Sequence, residues 1–372
     1  MMSKNAIFIG ATGQDVGKTT LCLGAIAALK KRYSRIGFIK PVGQHHLTVE
    51  PGVIVDKDAY LFKKHFHLTS AWKDISPVII PAGFTREYLD GKLSEEHLLQ
   101  SIEKGYQRVA SQHDYTIVEG TGHIGVGSIV GLSNAKVART LGLDMVIIAS
   151  GGLGSAFDEL AMNIALCKEQ GVTVRGVILN RVYDDKRQMI EEYFPKALKR
   201  WDIPLLGCVP YDSFLSKPSI QDFETLFKTT LLSGDAHHYR HFTHIRLSAG
   251  SLEAHIKDMM KNELVITPAT REDIIEATLE RHQEMQERHG TDFEGGMILT
   301  SRHPPTERLL KKIRSLDVPI LYAPICSYDA MKMITSFIAK IRIEDVQKIE
   351  KAISLADRYI NFDLLCNHPV SL

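Results

Sequence analysis

Two hydrophobic rhythms alternate along the chain: short continuous apolar runs, and longer stretches whose apolar residues recur at helical period. The runs at 6–9, 35–39, 115–118, 145–149, 174–179 and 204–209 read as strands. Helices are predicted between them at about 21–29, 95–111, 156–170 and 186–201. Strands that lack polar alternation are covered on both faces. Their alternation with helices therefore predicts an α/β fold with a mainly parallel sheet between helical layers. This first domain is expected over residues 1–219. A polar connector is expected over 220–245 and a smaller α/β domain over 246–360, with residues 361–372 as a C-terminal tail. The second domain rests on strands at 264–267, 296–300 and 319–323. Its helices place Ile274, Ile275, Thr278 and Leu279 on one face, and Leu309, Leu310, Ile313 and Leu316 on another.

The first strand runs into Gly10-Ala11-Thr12-Gly13-Gln14-Asp15-Val16-Gly17-Lys18-Thr19-Thr20, and an apolar helix follows. Strand, glycine-bearing loop, Gly-Lys-Thr and helix is the order of a P-loop, in which main-chain N–H groups and a helix N-terminus hold phosphate. The strict pattern has glycine where this chain has Thr12. Gly13, Gln14, Asp15, Val16, Gly17, Lys18, Thr19 and Thr20 are the candidate phosphate cradle. Lys18 is expected to reach the β- and γ-phosphates and Thr19 to ligate Mg²⁺. Lys40 ends the second strand before Pro41, at the sheet edge where open α/β folds take ligands. Glu119 ends another strand, and glycines at 120 and 122 clear space beside it. Such a carboxylate holds metal or polarises water opposite the P-loop lysine. Asp56 and Asp58 precede a helix, and either residue can be its N-cap or a metal ligand. Residues 85–94 read as a surface loop beside the substrate.

Composition narrows the classes. Of 372 residues, 44% are hydrophobic and 24% charged, which supports a sizeable core. A net charge of +1 gives no bulk attraction for nucleic acid or membrane. The five cysteines are scattered and read as small hydrophobes rather than as a metal or disulfide framework. Without a signal-peptide pattern or a run near the ~20 apolar residues of a membrane span, a cytoplasmic protein is expected. Four of the sixteen histidines lie within 235–244, and His237, His241 and His244 stand at helical spacing. A metal there is conceivable, but no cysteine or carboxylate pair completes the set.

Taken together, these motifs resemble dethiobiotin synthetase and the related P-loop ligases that act on cobyrinic acid. The similarity spans about residues 5–215 and lies in the loop at 12–20, Ile39-Lys40-Pro41-Val42, Asp58, Val118-Glu119-Gly120, Asn180-Arg181-Val182 and Gly207-Cys208-Val209-Pro210. The resemblance implies ATP and Mg²⁺ as cofactors and a lysine, Lys40, that contacts phosphate and substrate. It implies Thr19, Asp58 and Glu119 as metal ligands, Lys18, Lys40 and Glu119 as catalytic groups, and Asn180, Val209 and Pro210 around the adenine base. On the substrate side the chain departs from the family: His123, Gln44 and Phe157 stand where a glycine, a serine and an asparagine are expected. Over its whole length the chain resembles the N-terminal portion of long bacterial phosphotransacetylases, whose second unit is a DRTGG domain. Thr270-Arg271 and Thr300-Ser301-Arg302 replace the motifs of that domain. No acetyl-transferring domain is in view, so phosphotransacetylase activity is not expected.

Two functions follow from this resemblance. One is an ATP-binding regulatory protein with slow hydrolysis and a sensing second domain. The other is a ligase that activates a carboxylate or carbamate of a different acceptor. The partners expected are a nucleotide and a small carboxylate substrate or effector, with no nucleic acid and no membrane. A homodimer is implied by the resemblance alone. A partitioning ATPase fits poorly, because Gly13 stands where that class has a second lysine.

Overall fold

The computed structural model describes residues 5–366 and divides them between two compact units. Met1–Asp212 together with Ile341–Leu372 form the first, and Ser213–Lys340 the second. In the first unit the strands are β1 (Ala6–Ala11), β2 (Ile36–Ile39), β3 (Val42–Gly43), β4 (His46–Glu50), β5 (Val53–Asp56), β6 (Val78–Ile79), β7 (Tyr115–Glu119), β8 (Met145–Ser150), β9 (Val174–Val182) and β10 (Leu205–Pro210). Six of them make one sheet in the order β10-β9-β8-β1-β7-β2, parallel throughout. Ile7, Phe8 and Ile9 of β1 are buried, as are Ile117 and Val118 of β7, which is why these runs show no polar alternation. The chain passes from β1 to the far edge at β2, returns to β7 beside β1, and only then continues to β8 on the other side. Loops at the carboxyl ends of these central strands diverge to opposite faces, which opens a crevice where ligands bind in such sheets.

The helix Lys18–Leu29 starts directly behind β1 and is apolar nearly all round. The sheet covers one side. The other side is covered by the helix Val346–Tyr359, and the two approach so closely that a Cβ on Gly24 would lie 1.9 Å from Ala356 Cβ. Residues past 341 are fixed to the first unit by further contacts. Asn361 N–H donates to the Leu206 carbonyl at 2.8 Å, Arg175 Nη1 donates to the Leu365 carbonyl at 3.2 Å, and Lys31 pairs with Asp357 at 2.7 Å. The stretch expected to close the second domain therefore packs in the first, because an apolar P-loop helix needs a second cover. The expected tail begins as a short helix, Phe362–Cys366, and its residues 367–372 lie outside the described residues. The segment 85–94, expected as loop, begins within a short helix that runs from Phe84 to Leu89.

The second unit carries β11 (Leu231–Ser233), β12 (His244–Leu247), β13 (Glu263–Pro268), β14 (Gly296–Thr300) and β15 (Ile320–Ala323), in the order β11-β15-β14-β13-β12. Only the β11–β15 pair is antiparallel. Each sheet face has its own core. Phe223, Leu264, Ile298 and Ile334 pack on one, and Val265, Ile274, Leu279, Leu309 and Ile313 on the other. The expected connector over 220–245 is part of this unit, since helix Ile220–Phe227 and strand β11 build its core and edge. The histidines there do not share a helix. His237 ends a single 3-10 turn, and His244 begins β12. Among the described residues no group of three or more His, Cys, Asp or Glu is arranged to hold a metal.

Candidate functional site

The loop from Thr12 to Gly17 leaves β1 and turns over the start of helix Lys18–Leu29. Gly17 has φ 103°, a conformation that a side chain would strain, and a Cβ there would meet Asn180 Nδ2 at 2.1 Å. Asn180, near the end of β9, donates from Nδ2 to the Val16 carbonyl at 2.8 Å. It thus holds the loop itself in this structure. Thr12 is buried, with its N–H donating to the Ile148 carbonyl at 2.9 Å. Val16 is buried, Gln14 is exposed, and Asp15 adopts φ 56° at the loop apex.

Lys18 folds back across the loop. Its Nζ donates to the Gly122 carbonyl at 2.7 Å and weakly to the Gly13 carbonyl at 3.4 Å. Burial, helped by the neighbouring Lys40 charge, lowers its pKa to about 8. Thr19 Oγ1 donates to Glu119 Oε1 at 3.1 Å. Lys40 arrives from the end of β2, its backbone pinned by a bond from its N–H to the Ile75 carbonyl at 2.7 Å. Its ammonium lies 2.8 Å from Asp58 Oδ2, 2.8 Å from Glu119 Oε1 and 3.2 Å from the Gly120 carbonyl. The ambiguity between the two aspartates is resolved here. Asp56 caps helix Lys57–Phe66 by accepting from the Asp58 N–H at 2.9 Å, whereas Asp58 turns its carboxylate to Lys40.

Two ammoniums face three carboxylates, so the cluster is short of positive charge. Burial pushes the Glu119 carboxyl up to about 6, against the pull of Lys40, and burial likewise raises Asp56 to about 6. Burial works against the Lys40 charge, yet Asp58, Glu119 and Asp56 together hold its pKa well above the usual lysine range. The Lys40 ammonium is shared among several carboxylates, which keeps it charged, while each carboxylate has only a share of its pull. Glu119 Oε2 is buried with no hydrogen-bond partner. A hydroxyl and two carboxylates, one with an unsatisfied oxygen, form a hard oxygen donor set that fits Mg²⁺, which takes its remaining ligands from phosphate and water.

Two buried asparagines brace the loop opposite Lys18. Asn134 Nδ2 donates to the Thr121 and His123 carbonyls, both at 2.7 Å, and its Oδ1 accepts from the Thr121 N–H at 3.0 Å. Asn163 Oδ1 accepts from the Ile124 N–H at 3.1 Å, while Nδ2 donates to the Thr12 carbonyl at 3.3 Å. Neither residue stood out in the sequence; the one signal was a polar side chain inside an otherwise apolar helical face. Val209 and Pro210 end β10, the outermost strand, where the register sets Pro210 beside Val182. They lie on the ligand-bearing edge but outside the lysine–carboxylate cluster. Phe157 stacks on Trp201 with ring centroids 4.9 Å apart and meets Phe194 edge-on, so core packing occupies this position.

A family model described as an AAA domain, AAA_26, matches residues 5–219. The chain belongs to this AAA-domain family. The P-loop unit is of the dethiobiotin-synthetase-like kind, and a DRTGG domain follows it, matching residues 225–337. The phosphate acetyltransferase of Pseudomonas aeruginosa is 27% identical over 99% of this chain and 53% of its own length. The chain thus spans about half the length of the curated relatives it matches over its whole extent. The ATP-dependent dethiobiotin synthetase BioD of Bacillus subtilis is 26% identical over 57% of this chain and 90% of its own. Among solved structures, MinD of Aquifex aeolicus covers 57% of the chain at 15% identity and a TM-score of 0.36, a likeness too slight to carry weight. In the DRTGG unit, Arg271 pairs with Asp273 at 2.8 Å and donates to the Gly250 carbonyl at 2.9 Å. Thr300 is buried, its hydroxyl 2.6 Å from that of Ser327. Among the described residues, no helix is long and apolar enough to cross a membrane.

Proposed function

We propose that the AAA-domain unit binds ATP with Mg²⁺ and hydrolyses it slowly, and that the DRTGG unit is its sensing or regulatory module. The observation that carries this reading is the convergence of Lys18, Thr19, Lys40, Asp58 and Glu119 on one P-loop, with the unsatisfied Glu119 Oε2 among them. Thr19, Asp58 and Glu119 would hold the ion, whose charge would offset that of the phosphates. Lys18 moves from the Gly122 carbonyl to the β- and γ-phosphates, and Lys40 supplies a second cation at the transferring group, where most of the catalytic effect of such sites lies. Asn180, next to the loop, recognises the base. A homodimer and a cytoplasmic location belong to the same reading. An acceptor unlike the dethiobiotin precursor belongs to a ligase reading instead, because Phe157 is committed to the core. The acetyl transfer named for the longer relatives is no part of it.

A second reading, ATP-dependent activation of a carboxylate or carbamate, is favoured by Lys40, since a second buried cation suits a ligase that must bring two anions together. Thermal melting with ATP and Mg²⁺ tests the shared premise. Nucleotide at 100 times its dissociation constant adds about 2.7 kcal/mol. For a domain of this size the midpoint rises by roughly 5–10 °C. Absence of a shift in the wild type, or an equal shift in Lys18→Ala, defeats the proposal. Phosphate release that rises with one added acid selects the ligase over the regulator.

A further inference from the structure

The Lys40 ammonium occupies the space between two carboxylates of the cluster. Its ammonium is 2.8 Å from both Asp58 Oδ2 and Glu119 Oε1, and that same Oε1 accepts from Thr19 Oγ1 at 3.1 Å. The hydroxyl and the two carboxylates that suit Mg²⁺ are thus already drawn together by an internal cation. The ammonium is well enclosed: the side chains of Lys40 and Glu119 are 4% and 0% exposed. Its main chain is held by Ile75, so only the side chain is at liberty to swing.

We propose that Lys40 is a built-in substitute for the metal, keeping the Asp58–Glu119 pair closed to divalent ions until a polyphosphate draws the ammonium away. The inference rests on the nucleotide reading above and adds an order to it. A divalent ion entering alone meets a second cation on the same Glu119 oxygen. Its gain at the carboxylates is offset by repulsion, or by leaving a buried ammonium unpaired. A triphosphate entering the P-loop offers Lys40 a new anion, after which both carboxylates and Thr19 are available together. Metal and nucleotide affinities are therefore positively coupled, and the coupling is reciprocal. Without Lys40 the cluster keeps all three carboxylates with Lys18 alone to balance them, and the metal no longer needs the nucleotide.

Equilibrium dialysis with manganese(II) as the probe, with and without a non-hydrolysable ATP analogue, decides the matter by counting metal and nucleotide retained on the protein side. For the wild type, manganese retention should be about 10- to 100-fold weaker without the analogue than with it. Lys40→Met should retain manganese without nucleotide at least about tenfold more tightly than the wild type. Adding Glu119→Gln to Lys40→Met should abolish that gain. Equal wild-type retention with and without the analogue overturns the substitute role while leaving the nucleotide site intact. Retention of no analogue at all defeats the nucleotide reading, and the substitute role with it. Should Lys40→Met fail to fold, Lys40→Gln takes its place: the same gain in nucleotide-free manganese retention is expected, and retention equal to that of the wild type overturns the substitute role.

Discussion

Gly24→Ala tests whether the helix Val346–Tyr359 is seated on the P-loop helix. Helix propensity alone makes alanine better than glycine by about 1 kcal/mol in a helix interior. The structure opposes this: the new Cβ would lie 1.9 Å from Ala356 Cβ and 3.3 Å from the Ala352 carbonyl oxygen. Both obstacles belong to the core of a second helix rather than to the tip of a flexible side chain, so the helices must part. Overpacking of this kind costs about 1–3 kcal/mol, and the upper end applies at half a normal contact distance. The net expectation is destabilisation by about 1–2 kcal/mol. Ala356→Gly removes the opposing methyl, so the double variant should recover about 1–3 kcal/mol relative to the sum of the single changes. Urea unfolding followed by tryptophan fluorescence reads the first unit alone, because both tryptophans of the chain, Trp72 and Trp201, lie in it. A Gly24→Ala variant that unfolds later than the wild type, or a coupling below about 0.5 kcal/mol, refutes the packing.

Nucleotide affinity should fall above about pH 8, where Lys18 loses its proton in the ligand-free protein. The decline approaches about tenfold per pH unit, and titration calorimetry should find it flattened in Lys18→Arg. Burial holds the Glu119 and Asp56 carboxyls up to about 6, against ordinary values of 4.5 and 3.8. The native state therefore binds more protons than the unfolded chain in that window, and ligand-free stability should rise as the pH drops from about 7 to about 5. Melting curves across that range check the sign, with a smaller rise expected for Glu119→Gln. Asn180→Ala removes the bond to the Val16 carbonyl, costs about 1 kcal/mol and should speed amide exchange in the loop at residues 12–17. Unchanged exchange there would remove Asn180 from its place as a loop latch.

The first unit could be read from the sequence because its signals are local. An apolar run that ends in a charged residue next to glycine or proline marks a strand end at the ligand edge, and Lys40 and Glu119 follow that rule, while Gly17-Lys18-Thr19 after a strand and a glycine-bearing loop marks a P-loop helix start. Residue pattern alone did not separate Asp56 from Asp58, since two carboxylates before one helix look alike until the cap is formed; the family resemblance was what pointed to Asp58. Asn134 and Asn163 act through main-chain atoms distant in sequence, which no spacing rule reveals. The histidines at 237, 241 and 244 suggested a helix face only because spacing says nothing about the turn and strand that separate them. The destination of residues 341–366 was the hardest to see. An amphipathic helix at the end of an α/β pattern does not declare which sheet or helix it will cover.

That destination admits a decisive contrast between cutting the chain and merely loosening it. Ile349, Ile360, Phe362 and Leu365 are buried, and each fully buried side chain of this kind contributes about 1.5–3 kcal/mol. Ending the chain after Lys340 removes all four, together with the cover over Gly24 and the Asn361 bond to Leu206. A loss on the order of 6–12 kcal/mol is comparable with the whole stability of an ordinary domain. The truncated chain should accordingly lose its cooperative tryptophan transition and its nucleotide-dependent shift, although residues 5–219, the extent of the family match, remain entire. Inserting a flexible Gly-Ser stretch after Lys340 leaves those contacts in place and only lengthens a connection, which costs about 0.6 kcal/mol per doubling of its length. The insertion variant should therefore melt within a degree or two of the wild type. If truncation and insertion behave alike, the returning segment contributes nothing to the P-loop unit, and the apolar back of the helix Lys18–Leu29 must find its cover elsewhere.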